Sequence, residues 1–116
     1  MKDSPAFHLV IDLEATCDEE HRIPQKKMET IEIGAVLVDT ATLETVGEFQ
    51  TFIRPLVTPA LTNFCKGLTT ITQEEVDRAP IFREAIEALR RFIDDRDALF
   101  CSSGDYDRNQ FDIDAR

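Results

Sequence analysis

The chain has 116 residues, of which 42% are hydrophobic and 31% charged, the balance of a soluble globular protein rather than a disordered one. Its net charge of -10 and pI near 4.5 exclude nucleic-acid binding through a broad basic surface, yet leave room for acids that work with a metal ion. Cys17, Cys65 and Cys101 form no CxxC pair, which excludes a structural zinc site and fits free thiols in a reducing compartment. No stretch has the length of a membrane span and no signal peptide opens the chain, so the expected location is cytoplasmic.

The first predicted element is the strand Phe7-His8-Leu9-Val10-Ile11-Asp12-Leu13-Glu14-Ala15. The aliphatic run Leu9 to Ile11 reads as a strand buried on both faces. Strand side chains alternate, so Asp12 and Glu14 leave the same face about 7 Å apart along the strand. Two adjacent carboxylates repel, and a hard divalent cation with oxygen ligands is a natural partner for them. The competing reading has the strand ending at Asp12 with both acids solvated.

A polar loop follows from Asp18 to Lys27, in which His21, Lys26 and Lys27 read as solvated groups. Met28 to Asp39 is a second strand, with Gly34 marking a bulge or close backbone approach. Leu43 to Ile53 is a third, and the short turn at 40–42 makes the pair an antiparallel hairpin. Pro55 and Pro59 end it. A short helix is expected from Leu61 to Leu68, stopped by Gly67. Thr72-Gln73-Glu74-Glu75 is a capping box opening another. A longer helix begins at Pro80, where Phe82, Ala85, Ile86, Leu89, Phe92 and Ile93 draw one apolar stripe, and Asp94 to Asp97 closes it. Ala98 to Ser103 is a fourth strand, running into Gly104-Asp105-Tyr106-Asp107 and the start of a further helix. The order of elements indicates an α/β mixed sheet with helices packed on it. The last helix has only Phe111 and Ile113 to offer the sheet, so one sheet face or edge is expected to be uncovered and the chain truncated.

If the first and fourth strands are neighbours, Asp12, Glu14 and Asp105 or Asp107 meet at one edge, a carboxylate cluster suited to two-metal phosphodiester hydrolysis. Here the sequence resembles the DEDD 3′–5′ exonucleases of the ribonuclease H-like superfamily, in the DEDDh branch around the histone-mRNA and small-RNA enzymes. Ile11-Asp12-Leu13-Glu14-Ala15-Thr16-Cys17 resembles the first motif of that family. Glu29-Thr30-Ile31-Glu32-Ile33-Gly34-Ala35-Val36, Phe52-Ile53-Arg54-Pro55 and Leu61 to Val76 resemble its following segments in order. Gly104-Asp105-Tyr106-Asp107 looks like the second motif, with its acid at Asp107 and Asp105 as the alternative.

The resemblance implies a ribonuclease H-like mixed sheet flanked by helices, with residues 1–116 as the N-terminal portion of one exonuclease domain. It implies that Asp12, Glu14 and Asp107 are catalytic and hold two Mg²⁺ or Mn²⁺ ions, and that Leu13, Ala15, Thr16 and Phe64 contact the nucleotide. The substrate would be the 3′ end of RNA or single-stranded DNA. The family's third motif, a histidine base followed by a fourth aspartate, has no match here, and Thr70 stands where the family usually has glycine. Loss of a general base typically costs about 10²–10⁴-fold in rate, so this chain alone is expected to be weak or inactive. Two rival readings remain: a non-catalytic exonuclease-like module that binds RNA ends or a protein partner, with the uncovered sheet open to a homodimer or partner, and a phosphatase on small esters, disfavoured because no glycine-rich phosphate loop is present.

Overall fold

A computed structural model describes residues 5–20 and 22–102. Four strands, β1 (Phe7–Ala15), β2 (Thr30–Asp39), β3 (Thr45–Phe52) and β4 (Ala98–Ser102), form one sheet in the order β3-β2-β1-β4. β1, β2 and β3 pair antiparallel, whereas β4 lies parallel to β1. Three helices, α1 (Asn63–Thr69), α2 (Gln73–Asp77) and α3 (Phe82–Ile93), occupy the connection from β3 to β4, as a parallel pairing requires of its crossover. A 3₁₀ turn spans Gln25–Lys27.

The β2–β3 hairpin turns on Asp39, whose Oδ1 accepts from the Ala41 and Thr42 amides at 2.8 and 3.1 Å, the local bond that makes aspartate a turn residue. Burial alternates along the central strands from Leu9 in β1 and from Ile31 in β2. Leu9, Ile11 and Leu13 of β1 and Ile33, Ala35 and Leu37 of β2 form one core with Ala85 and Leu89 of α3. Phe82, Ile86, Phe92 and Ile93 of the same helix pack on its margin, so the apolar stripe is core as its spacing predicted. Each fully buried leucine or isoleucine contributes about 1.5–3 kcal/mol through removal from water. A second cluster, Ile31, Leu61, Cys65, Ile71 and Val76, seats α1 and α2 beside the end of β1, with Cys17 and Phe52 against it.

The expectation that β1 is buried on both faces is corrected: Val10 is 41% exposed and Asp12 is also exposed, so only the Leu9-Ile11-Leu13 face carries the core. An aliphatic run has no alternation to reveal which face is covered. Nor does Gly34 make a bulge. The register shifts fall at Glu14/Ala15 and Leu37/Val38, and a Cβ at Gly34 would meet the Asp12 carbonyl oxygen at an ordinary 3.9 Å. Gly67 does not stop α1 either. It lies inside the helix, and the left-handed position at its end is Thr70, at φ 62° and ψ 11°. Thr70 is therefore a β-branched residue in a conformation that disfavours one, the position where glycine commonly ends a helix.

The capping box of α2 forms as expected: Thr72 Oγ1 accepts from the Glu75 amide and Glu75 Oε1 accepts from the Thr72 amide, at 3.1 and 2.9 Å. α3 ends at Ile93, and its C-cap Asp94 also has positive φ, 57°. All three cysteines are free thiols. Among the described residues no helix is long and apolar enough to cross a membrane.

Candidate active site at the end of the first strand

β1 runs past both acids to Ala15, so the strand does not end at Asp12. Its alternation places Asp12 and Glu14 together on the face opposite the α3 core, with Asp12 exposed and Glu14 half-buried. Across the sheet Asp12 faces Gly34, and Glu14 faces Glu32. Glycine sets no side chain beside Asp12. The Glu32 carboxylate accepts from Gln50 Nε2 at 2.9 Å. On the other side of β1 the parallel register pairs Ile11 with Ser102, the last described residue of β4. The expected adjacency of the first and fourth strands is borne out. Asp105 and Asp107 lie outside the described residues, as does His21.

Hard carboxylate oxygens on one open face suit Mg²⁺ or Mn²⁺. Among the described residues, no third histidine, cysteine, aspartate or glutamate completes a cluster around the Asp12–Glu14 pair.

Leu13 and Ala15 alternate away from the acids and are buried, at 3% and 5% exposure. Only their backbone is therefore directed toward the acid end of the strand. Thr16 is 1% exposed; its Oγ1 accepts from the Glu29 amide at 2.9 Å, while its own amide donates to the Glu29 carbonyl at 2.8 Å. Phe64 is 40% exposed on α1. That helix is tied to the exit of β1 through its N-cap, because Thr62 Oγ1 donates to the Cys17 carbonyl and accepts from the Cys65 amide. Buried Cys65 adds a long contact from Sγ to the Ala15 carbonyl, 3.7 Å. Ala15 and Thr16 thus lie at the exit of β1, to which Thr62 and Cys65 tie the helix that carries Phe64, while Leu13 belongs to the α3 core.

Two further features flank the acid-bearing end of β1. Asp18, buried just beyond Cys17, accepts from Arg22 Nε at 2.7 Å, and this guanidinium holds its carboxyl below the usual carboxylate range. Glu29 extends its carboxylate to three successive amides: Leu56 at 2.7 Å, Val57 at 3.0 Å and Thr58 at 2.8 Å. Burial, followed by the contact with the Cys65 thiol and by the negative charges of Glu14 and Asp18, pushes the Cys17 thiol up to about 12. Cys17 therefore stays a neutral, weakly nucleophilic thiol at neutral pH.

A model of the exonuclease family (RNase_T) matches residues 9–106. Among curated relatives, the 3′-5′ exonuclease eri1 of Schizosaccharomyces pombe is 38% identical over 87 residues, covering 75% of this chain and 29% of that protein. The 3′-5′ exoribonuclease 1 of Homo sapiens is 45% identical over 80 residues, covering 69% and 23%. A solved 3′-exonuclease described in 3′-end specific recognition of a histone mRNA stem-loop superposes with a TM-score of 0.90 at 30% identity, over 98% of this chain and 53% of its own. The nuclease domain of 3′hExo, a DEDDh family member bound to rAMP, gives 0.89 at 30% identity, over 99% and 60%. The chain thus spans a quarter to a third of the curated relatives and rather more than half of the solved ones. With the parallel β1–β4 pairing, the Asp12–Glu14 strand end and these matches together, the chain belongs to the exonuclease family and carries its ribonuclease H-like fold.

Proposed function

We propose that this chain contributes the first-strand acids of a metal-dependent 3′–5′ exonuclease acting on the 3′ end of RNA or single-stranded DNA, as the N-terminal portion of a single exonuclease domain. The observation that carries the reading is the parallel pairing of β4 with β1, in which Ser102 lies opposite Ile11, the residue before Asp12. Asp107, the expected second-motif acid, follows Ser102 within a few residues in sequence, with Asp105 as the alternative. Asp12, Glu14 and Asp107 would hold Mg²⁺ or Mn²⁺, two ions in the complete site. A divalent ion bound there supplies Lewis acidity toward the phosphodiester.

The chain's own residues grip and orient. Backbone groups of Leu13 and Ala15 would meet the terminal nucleotide where the strand ends. Thr16 retains its hydroxyl proton to donate after accepting from Glu29. Phe64 offers a half-exposed ring at the N-terminal end of α1 for base stacking, a contact typically worth about 1–3 kcal/mol. The sequence contains His8 and His21 only; both precede Asp107 in sequence, whereas the resemblance puts the general base after the second motif. Cleavage by this 116-residue chain is therefore slow.

Incubation of a 5′-labelled single-stranded RNA with the chain and Mn²⁺ tests the reading. Gradual shortening from the 3′ end that is absent in Asp12→Asn supports it. Brisk trimming would overturn the claim of weak activity, and trimming that survives Asp12→Asn would remove the acids from the chemistry. One observation favours a second reading, a binding module without cleavage: the face bearing the acids also exposes Val10 and Leu99. Under that reading RNA or protein binding persists in Asp12→Asn and no trimming occurs in either chain.

A further inference from the structure

We infer that Glu29 is a positioning residue of the nucleic-acid site: its carboxylate latches the 56–58 loop, with the apolar tips Leu56 and Val57, to the end of β1 that bears Asp12, Glu14 and Thr16. The inference rests on the nuclease reading above.

Glu29 sits one residue before β2 and is bonded twice to Thr16 through the backbone and the threonine hydroxyl, at 2.8 and 2.9 Å. Its side chain then bridges 27 to 29 residues along the sequence to the loop, with a separate bond to each of three consecutive amides. Successive backbone N–H groups form a concavity that binds an anion, and here the anion is an internal carboxylate. One residue therefore ties the acid-bearing strand end to a loop remote in sequence.

Fold stability does not account for this connection. Two of the three latched amides, those of Leu56 and Val57, lie at exposed positions where water could satisfy them, and only that of Thr58 is part-buried. The two side chains held in place remain mostly in water, Leu56 at 63% and Val57 at 74% exposure. Ordering exposed apolar groups costs conformational entropy without a hydrophobic return. It serves a ligand that arrives later, because a preorganised wall spares the ligand that ordering cost. The chemistry available to Leu56 and Val57 is apolar contact with the face of a nucleobase or sugar. Their place, one glutamate side chain from Thr16, puts them beside the terminal nucleotides.

The test uses a 5′-fluorescein single-stranded RNA with a free 3′-hydroxyl and phosphorothioate linkages at its 3′ end, titrated by anisotropy in Mn²⁺, with a 3′-phosphorylated copy as control. Glu29→Gln presents an amide NH₂ to donors and releases the loop. Leu56→Ser/Val57→Ser keeps the latch and removes the tips. Both variants are expected to weaken binding of the 3′-hydroxyl RNA by about tenfold, the scale of a small misplacement of binding groups. Mn²⁺ affinity measured without RNA stays within about twofold of wild type, which a general loosening of the site would not allow. The serine pair replaces exposed residues and leaves the melting temperature unchanged, so it carries the test even if Glu29→Gln folds poorly. Wild-type RNA affinity in the serine pair overturns the inference while leaving the nuclease reading intact. A wild-type chain that does not prefer the 3′-hydroxyl over the 3′-phosphate RNA overturns both.

Discussion

Thr16→Val isolates the hydroxyl that joins the exit of β1 to the start of β2. Valine matches threonine in shape, so packing at this 1% exposed site is retained. What disappears is the acceptor for the Glu29 amide at 2.9 Å. An enclosed donor left without a partner costs about 1–3 kcal/mol. The Glu29 side of the bond is only partly buried, and water reaching it favours the lower half of that range, about 1–2 kcal/mol. For a domain of about 100 residues each kcal/mol lowers the melting temperature by about 4–8 °C, so thermal unfolding followed by circular dichroism should show a drop of roughly 4–16 °C. Thr16→Ser keeps the oxygen and loses one methyl, which costs about 1 kcal/mol by the usual large-to-small scale. The variants also separate two roles. Serine should bind a 3′ RNA end nearly as well as threonine, because it retains the donor proton, and valine should not. A valine variant as stable as wild type would refute the hydrogen-bond argument, and a serine variant that loses RNA affinity would refute the donor role.

Calorimetric titration with Mn²⁺ should give binding heat for the wild-type chain and none for Asp12→Ala; equal heats would detach the metal from the first strand. For Cys17 the folded-state value of about 12 lies above the ordinary thiol range. The protonated thiol is thus favoured in the fold, and its stabilising effect is complete below the unfolded value near 9. It is lost as pH rises toward 12, so Cys17→Ser should flatten the alkaline limb of a stability–pH curve, whereas an unchanged limb would remove burial of the thiol as its cause. Thr70→Gly relieves a left-handed β-branched residue worth about 1–2 kcal/mol, against a loss of about 0.5–1 kcal/mol from glycine's freedom in the unfolded chain. The net gain of about 0–1.5 kcal/mol should raise the urea midpoint without changing the slope, and a lowered midpoint would contradict the cap geometry.

Local rules carried the hairpin, the Thr72–Glu75 box and the α3 stripe, because each depends on residues a few positions apart. The acid pair was legible for the same reason, since a two-residue period puts Asp12 and Glu14 on one face wherever the strand lies. The failures share the opposite cause. Val10 looks like core because an aliphatic run is silent about which face a helix will cover. Gly67 looked like the helix stop because glycine is the commonest residue there, yet α1 runs two residues further to Thr69, between Cys65 and Ile71 of the second cluster. Glu29 stood inside a recognised segment with no role, since its three partners are 27 to 29 residues away and offer only backbone. Asp18 and Arg22, by contrast, are four apart, and their pairing was within reach of the sequence.

The alternation along β1 divides the labour of the strand between its two sides. Leu9, Ile11 and Leu13 do the folding, while Val10, Asp12 and Glu14 contribute no atoms to that core. Mutational tolerance along this segment should therefore oscillate with a period of two: abundance in a cell-based selection falls at 9, 11 and 13, and chemistry falls at 12 and 14 with abundance preserved. Such a strand can lose or change its acids without unfolding. On the proposed exonuclease reading, single substitutions at the two acids separate cutting from merely holding a nucleic-acid end, each leaving a folded protein on which selection can act.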